Sequence, residues 1–226
     1  MSKESKLKKF VKNEGCQYFK YAMLSFGGLG LEGIYAYLLE PLLYGHFINE
    51  FTTPEWILHW SITIITWLMV AYLIIRSARK NLNFQLKGIN SKWTPVGIIA
   101  SCILIGLMVV SNFIDLGQLK IVHEFQALGI LKFVFQHLYY LAEVILFMLI
   151  IVFGQKGFEN LFSASNIPYG GILVGLTWGL AHWVTKGSMW IGLGGTLLGF
   201  LFGTIYLFLG RDLKKTYLVL ALTFII

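Results

Sequence analysis

The stretch that decides the fold is Phe133 to Phe153, FVFQHLYYLAEVILFMLIIVF, 21 residues with no lysine or arginine and one acid, Glu143, near its centre. A helix of about 20 apolar residues is what crosses a hydrocarbon core about 30 Å thick. Only helices or closed barrels satisfy the backbone there. The apolar residues run continuously instead of alternating, which selects helix over strand.

Similar runs lie on either side. The sequence predicts an all-α polytopic membrane bundle of six full spans, at roughly 22–45, 56–75, 95–114, 133–153, 169–185 and 189–209. A shorter apolar segment, 216–226, follows as a partial or re-entrant span, or a last helix cut short. Composition agrees: 57% of the residues are hydrophobic and 13% charged, against about 25% charged in an ordinary soluble domain. So little charge cannot cover a water-exposed globule. One membrane domain is expected over 21–226, after a basic amino-terminal stretch, 1–20.

The basic residues give the orientation. Lys3, Lys6, Lys8, Lys9, Lys12 and Lys20 precede the first span. Arg76, Arg79, Lys80, Lys87 and Lys92 follow the second, Lys156 the fourth, and Arg211, Lys214 and Lys215 the sixth, so 15 of 18 fall on one side. Lys120, Lys132 and Lys186 are left for the other. This positive-inside pattern predicts a cell-membrane protein with a cytoplasmic amino terminus. The partner implied by the net charge of +7 is the anionic headgroup layer, and no nucleic acid, since no aromatic and basic platform on a soluble domain accompanies it. The charged first 20 residues and the absence of a small-residue cleavage site predict a retained signal anchor. Cys16 and Cys102 have no disulfide or metal spacing and are expected free. No metal and no cofactor is implied. Oligomeric state is open.

A charge at the bilayer centre costs about 2.5–3.5 kcal/mol on insertion scales, so the ionisable residues inside the spans need partners. Glu143 is the leading candidate, as a general base for water or a protonated interhelical hydrogen-bonding group. His182, near the end of the fifth span, is its candidate partner, although it is expected nearer the outer face than Glu143. His137 lies about 120° around the helix from Glu143 and is expected at the interface, as is His59 beside Trp56 and Trp60. Glu32 and Glu40 are expected to hydrogen-bond within the bundle or to line a polar cavity. Gly27, Gly28, Gly30 and Gly33 mimic a dinucleotide fingerprint but lie inside a span with no strand before them. Gly170, Gly171, Gly175 and Gly179, and likewise Gly195, Gly199 and Gly203, form small-residue stripes that predict close packing of the fifth and sixth spans, next to the fourth.

The stretch 137–226 resembles the CAAX protease and bacteriocin-processing (Abi) family of intramembrane glutamic endopeptidases. That family has Glu-Glu-x-x-x-Arg, then Phe-x-x-x-His, then His-x-x-x-Asn or Asp on successive helices. Glu143 matches the first Glu, with Val144 and Met148 in place of the second Glu and the Arg. Trp178-Gly-Leu-Ala-His182 matches the second motif, with Trp for Phe. The third should fall near 218–226, where this chain has no His, Asn or Asp. The resemblance implies a peptidase in which Glu143 and His182 activate water, with His137, Tyr139 or Tyr140 standing in for lost oxyanion donors, and a membrane protein or peptide as substrate. The lost positions equally suit a non-catalytic relative, a pseudoenzyme acting as scaffold, regulator or bacteriocin-immunity protein. A small transporter fits less well, because no inverted repeat is visible.

Overall fold

The computed structural model describes residues 13–85 and 92–226, and among these the chain is all helix, with no strand. Six of the basic residues counted above, Lys3, Lys6, Lys8, Lys9, Lys12 and Lys87, lie outside the described residues, as does most of the amino-terminal stretch.

Helix α1 (Glu14–Tyr44) starts at Asn13, whose side chain accepts from the Gly15 N–H at 2.8 Å. It carries a π-helical turn at Tyr35–Leu39 and ends at Gly45 with φ +79°. Helix α2 (Thr53–Leu82) opens on a capping box in which Glu55 accepts from the Thr52 backbone N–H at 2.6 Å, with Pro54 in the first turn, a combination that satisfies otherwise orphaned amides. Helix α3 (Pro95–Leu116) is capped by Thr94. Helix α4 (Lys120–Phe162) is broken at Gly129, whose φ of 70° and ψ of 165° only glycine adopts readily. The break folds the arm 120–128 back on the following turns, with Phe125 against Phe133 at 5.4 Å. Helix α5 (169–186) consists of Tyr169–Val174, a π turn Gly175–Gly179, and Leu180–Lys186. Helix α6 is Met189–Phe208, and α7, Leu213–Ile225, is capped by Asp212.

Among the described residues five helices, α1, α2, α3, α4 and α6, are long and apolar enough to cross a membrane. Helix α5 takes the place expected for the fifth span but is more polar and is not among the five. The helices also outrun the expected spans. Arg76, Arg79 and Lys80 belong to the last turns of α2, and Lys156 lies inside α4 instead of in a loop, with its ammonium 5.0 Å from the Phe84 ring centroid. The apolar segment near the carboxy terminus is a helix of 13 residues, about 20 Å long, which docks on α4 through the Tyr217 hydroxyl and the Leu141 carbonyl at 3.2 Å.

Helix α4 is the centre. Helices α1, α2, α3, α5 and α7 all pack on it, and every residue from Val144 to Phe153 except Ile145 is buried. The helices alternate in direction, so one end gathers the start of α1, the end of α2, the end of α4 and the start of α5. Tyr21 bonds Ser77 at 2.9 Å there. Buried Gln155 donates to Glu159 and the Ile167 carbonyl and accepts from Gly170 N–H. Arg211 donates to Glu159 at 2.6 Å and to the Ser165 carbonyl at 2.7 Å.

Glycines set the closest contacts, as the stripes predict. A Cβ on Gly170 would lie 2.1 Å from the Ile151 carbonyl oxygen of α4. One on Gly203 would lie 2.3 Å from Gly171, one on Gly199 2.5 Å from Gly175, and one on Gly179 2.6 Å from Gly195. Helices α5 and α6 therefore touch backbone to backbone along their length. In lipid this contact replaces the hydrophobic drive available in water. A Cβ on Gly27, Gly30 or Gly33 would meet nothing within 4 Å, so of that cluster only Gly28 packs closely, against Val70 and Leu146. Gly203→Ala should lower stability by about 1–3 kcal/mol or more, and Gly30→Ala should raise it by roughly 0.5–1 kcal/mol. Thermal unfolding of the two variants in detergent checks the contrast.

Candidate functional site

The end of the bundle away from Gln155 and Arg211 holds most of the intramembrane polar groups. Glu143 projects from α4, half-buried, and its Oε1 accepts from the indole N–H of Trp178 at 3.0 Å. Trp178 sits in the π turn of α5. Its ring also lies on His182, with centroids 4.1 Å apart. His182 Nδ1 is 2.8 Å from the Trp178 carbonyl. A carbonyl only accepts, so Nδ1 carries the proton and Nε2 of the neutral ring keeps its lone pair. Glu143 and His182 are thus joined through one tryptophan, and no direct bond between them is seen. The depth mismatch expected from sequence is bridged by the indole.

A second polar line runs between α1, α2 and α4. Tyr139 is one helical turn before Glu143 on the same face, and its hydroxyl donates to Glu32 Oε1 at 2.7 Å. The same Glu32 oxygen is 3.6 Å from His59 Nε2, and His59 Nδ1 is 2.8 Å from Glu40 Oε2. His59 is fully buried and Glu40 is 5% exposed. The expectation that His59 belongs to an interfacial belt is therefore corrected. The rings of Phe51 and Trp56 do surround it, but they pack it inward, where the Glu40 carboxylate offsets the cost of burying the imidazole. Glu32 and Glu40 hydrogen-bond within the bundle, as expected. The π turn of α1 lies between them.

The third group is built by the folded-back arm of α4. Glu124 Oε1 accepts from Tyr140 at 2.8 Å and from Gln136 at 3.1 Å. Lys120 bonds the Phe224 carbonyl, lies 3.9 Å from Glu124 and sits 4.4 Å above the Tyr140 ring. His137 bonds the Phe133 carbonyl at 2.8 Å through Nδ1, and its Nε2 is 3.8 Å from Glu124 Oε2. Tyr140 is therefore committed to Glu124 and Tyr139 to Glu32, while the one hydrogen bond of His137 is to its own helix.

The region where a third motif would fall is apolar. Phe224 of α7 packs against Phe147 at 5.6 Å and Trp178 at 6.0 Å. Cys16 and Cys102 are free. Among the described residues no group of three or more His, Cys, Asp or Glu is placed to hold a metal ion.

Sequence reasoning singled out Glu143 and His182 but missed the role of Trp178, the Glu32–Tyr139 bond and the Lys120 arm. The i, i+4 spacing of Tyr139 and Glu143 was available as a signal. The π turns and the fold at Gly129 were not.

Together these features define an all-helical bundle with membrane-crossing helices and an acid, imidazole and indole cluster enclosed at one end. No protein-family model, curated protein or solved structure matches the chain.

The Glu40–His59 contact tests the local reading. Hydrogen bonds to charged groups contribute about 1.5–3 kcal/mol. Glu40→Gln and His59→Phe should each destabilise by about that much, and the double variant by clearly less than their sum. Unfolding midpoints of the three variants in detergent decide it, since additive losses would mean the two residues act separately.

Proposed function

We propose that this protein is a multi-pass cell-membrane protein, amino terminus cytoplasmic, whose site hydrolyses a peptide bond within the membrane, similar in kind to the CAAX protease and bacteriocin-processing peptidases. The orientation is supported by the end that carries Arg76, Arg79, Lys80, Lys156 and Arg211. These five basic side chains gather where α2 and α4 finish, with Glu159 among them, and Glu32, Glu40, Glu124 and Glu143 lie at the opposite end with Lys120.

One observation carries the chemical reading: the Glu143–Trp178–His182 unit. The indole holds one carboxylate oxygen of Glu143 and leaves the other for water. The tautomer of His182 leaves Nε2 as a second acceptor on the far face of the same indole. Glu143 takes a proton from water as the oxygen attacks the carbonyl carbon, and returns it to the departing amine as the C–N bond breaks. A positioned base of this kind contributes about 10²–10⁴ in rate. Trp178 adds a donor that phenylalanine at this position cannot.

A second reading, a peptide- or protein-binding relative without turnover, is favoured by Phe224. Its ring makes a dry aromatic wall with Phe147 and Trp178 at the region expected to supply oxyanion donors.

Cleavage of a fluorogenic transmembrane peptide library by the purified protein in liposomes separates the two. Glu143→Gln and His182→Ala should each reduce cleavage by about 10²-fold or more, with Trp178→Phe reducing it less. Intact substrate that still co-purifies with the protein, equally for wild type and Glu143→Gln, would establish the binding role instead.

A further inference from the structure

Helix α2 has two unlike faces. Thr63, Trp67, Ala71, Ile74 and Ala78 are buried against the bundle. On the opposite side Ile62, Ile65, Met69, Tyr72, Arg76 and Arg79 are exposed. At 3.6 residues per turn these six fall within an arc of about 100°, and Lys80 falls at its edge. The apolar part, Ile62 to Tyr72, is about 15 Å long. That is half of the roughly 30 Å hydrocarbon core, the depth of one leaflet. A tyrosine at the end of such a stripe marks the headgroup level, and the cations begin one turn beyond it.

At that level Tyr72, Ile75, Arg76, Arg79 and Lys80 line an open groove of about 430 Å³. No partner within the fold neutralises its charges. Elsewhere at this end Arg211 is paired with Glu159 and Lys215 with Asp212, and Lys156 lies over the Tyr18 and Phe84 rings. Among the described residues Arg76, Arg79 and Lys80 have no acid and no side-chain hydrogen bond. A basic last turn by itself complements the helix dipole, and Arg79 and Lys80 are in that turn. Arg76 lies before it and Tyr72 a turn earlier still, so the dipole does not account for the groove.

We infer that this groove is the binding site of one anionic phospholipid, its phosphate held by Arg76, Arg79 and Lys80 and one acyl chain laid along the stripe from Tyr72 to Ile62. Guanidinium groups hold phosphate oxygens in pairs. The Tyr72 hydroxyl adds a donor at the level of the glycerol, and Ile75 supplies an apolar wall. The site differs from the general attraction of a basic end to an anionic leaflet. It takes one lipid, and it needs these side chains instead of any equal number of positive charges. It does not depend on the peptidase chemistry, only on the chain crossing a membrane.

The test uses the full chain in detergent. It is titrated with palmitoyl-oleoyl phosphatidylglycerol or with the zwitterionic phosphatidylcholine of the same chains, and bound lipid is counted by native mass spectrometry. One phosphatidylglycerol should bind well before any further lipid, and phosphatidylcholine far more weakly. Each basic residue near the headgroup is worth about five-fold in affinity. Arg76→Gln, Arg79→Gln and Lys80→Gln combined should therefore weaken the first binding by about 100-fold. Lys20→Gln, Lys92→Gln and Lys214→Gln remove the same charge at exposed positions of the same end, and together should leave that binding nearly unchanged. Arg76→Gln alone, at about five-fold, repeats the test at a single exposed position, and matched melting curves show that each variant folds. Equal loss in the two triple variants, equal binding of the two lipids, or an Arg76→Gln variant that binds like wild type overturns the site.

Discussion

Two places where backbones meet without side chains between them set the geometry of everything else. Gly170 of α5 rests on the Ile151 carbonyl of α4. Eight residues on along α5 is Trp178, and eight residues back along α4 is Glu143. At 1.5 Å per residue both positions lie about 12 Å from the contact, so the glycine fixes the register that places the indole on the carboxylate. Gly15 of α1 likewise meets Gly157 of α4, where a Cβ would come within 2.7 Å of the Gly157 carbonyl oxygen. Seventeen residues along α1 is Glu32, and eighteen back along α4 is Tyr139. Contacts at the basic end thus align acids and donors at the other.

The polar end follows from the solvent. A carboxylate among acyl chains has no water to replace a missing partner. Glu143 takes an indole, Glu32 a phenol, Glu40 an imidazole, and Glu124 a phenol and an amide. Each partner comes from another helix or, for Glu124 in the arm, from across the break at Gly129, so each bond also ties elements together. Both π turns are located here, one between Glu32 and Glu40 and the other holding Trp178. A π turn rotates the residues after it relative to a regular helix, and such turns recur at functional sites. Here they turn Glu40 to His59 and Trp178 to Glu143.

Sequence periodicity and length revealed the helices, the glycine stripes and the pairing of α5 with α6, because hydrocarbon thickness and small-residue packing leave direct marks on composition. Glu143 stood out because an acid amid apolar residues is costly. His59 was misplaced because its neighbours Trp56 and Trp60 look alike whether they face a headgroup or the bundle. Its partner Glu40 is 19 residues away across a turn that sequence does not position. The Lys120 arm was illegible for a similar reason: a helix that reverses at one glycine reads as a continuous run or a loop. Trp178 was read as a replacement for Phe, although its N–H is the feature that reaches the acid.

The same arrangement decides from which side the site meets water. Phe147, Phe202, Phe224 and the Trp178 ring form a contiguous aromatic floor beneath Glu143, and nothing in it can hydrogen-bond a water chain except the indole N–H already held by Glu143. Above the floor the groups change character. Glu32 is part-exposed, the Tyr139 hydroxyl and His59 follow, and the arm with Lys120 and Glu124 crosses over α4. The polar approach to Glu143 is therefore the side that carries Glu32, and the aromatic floor closes the other.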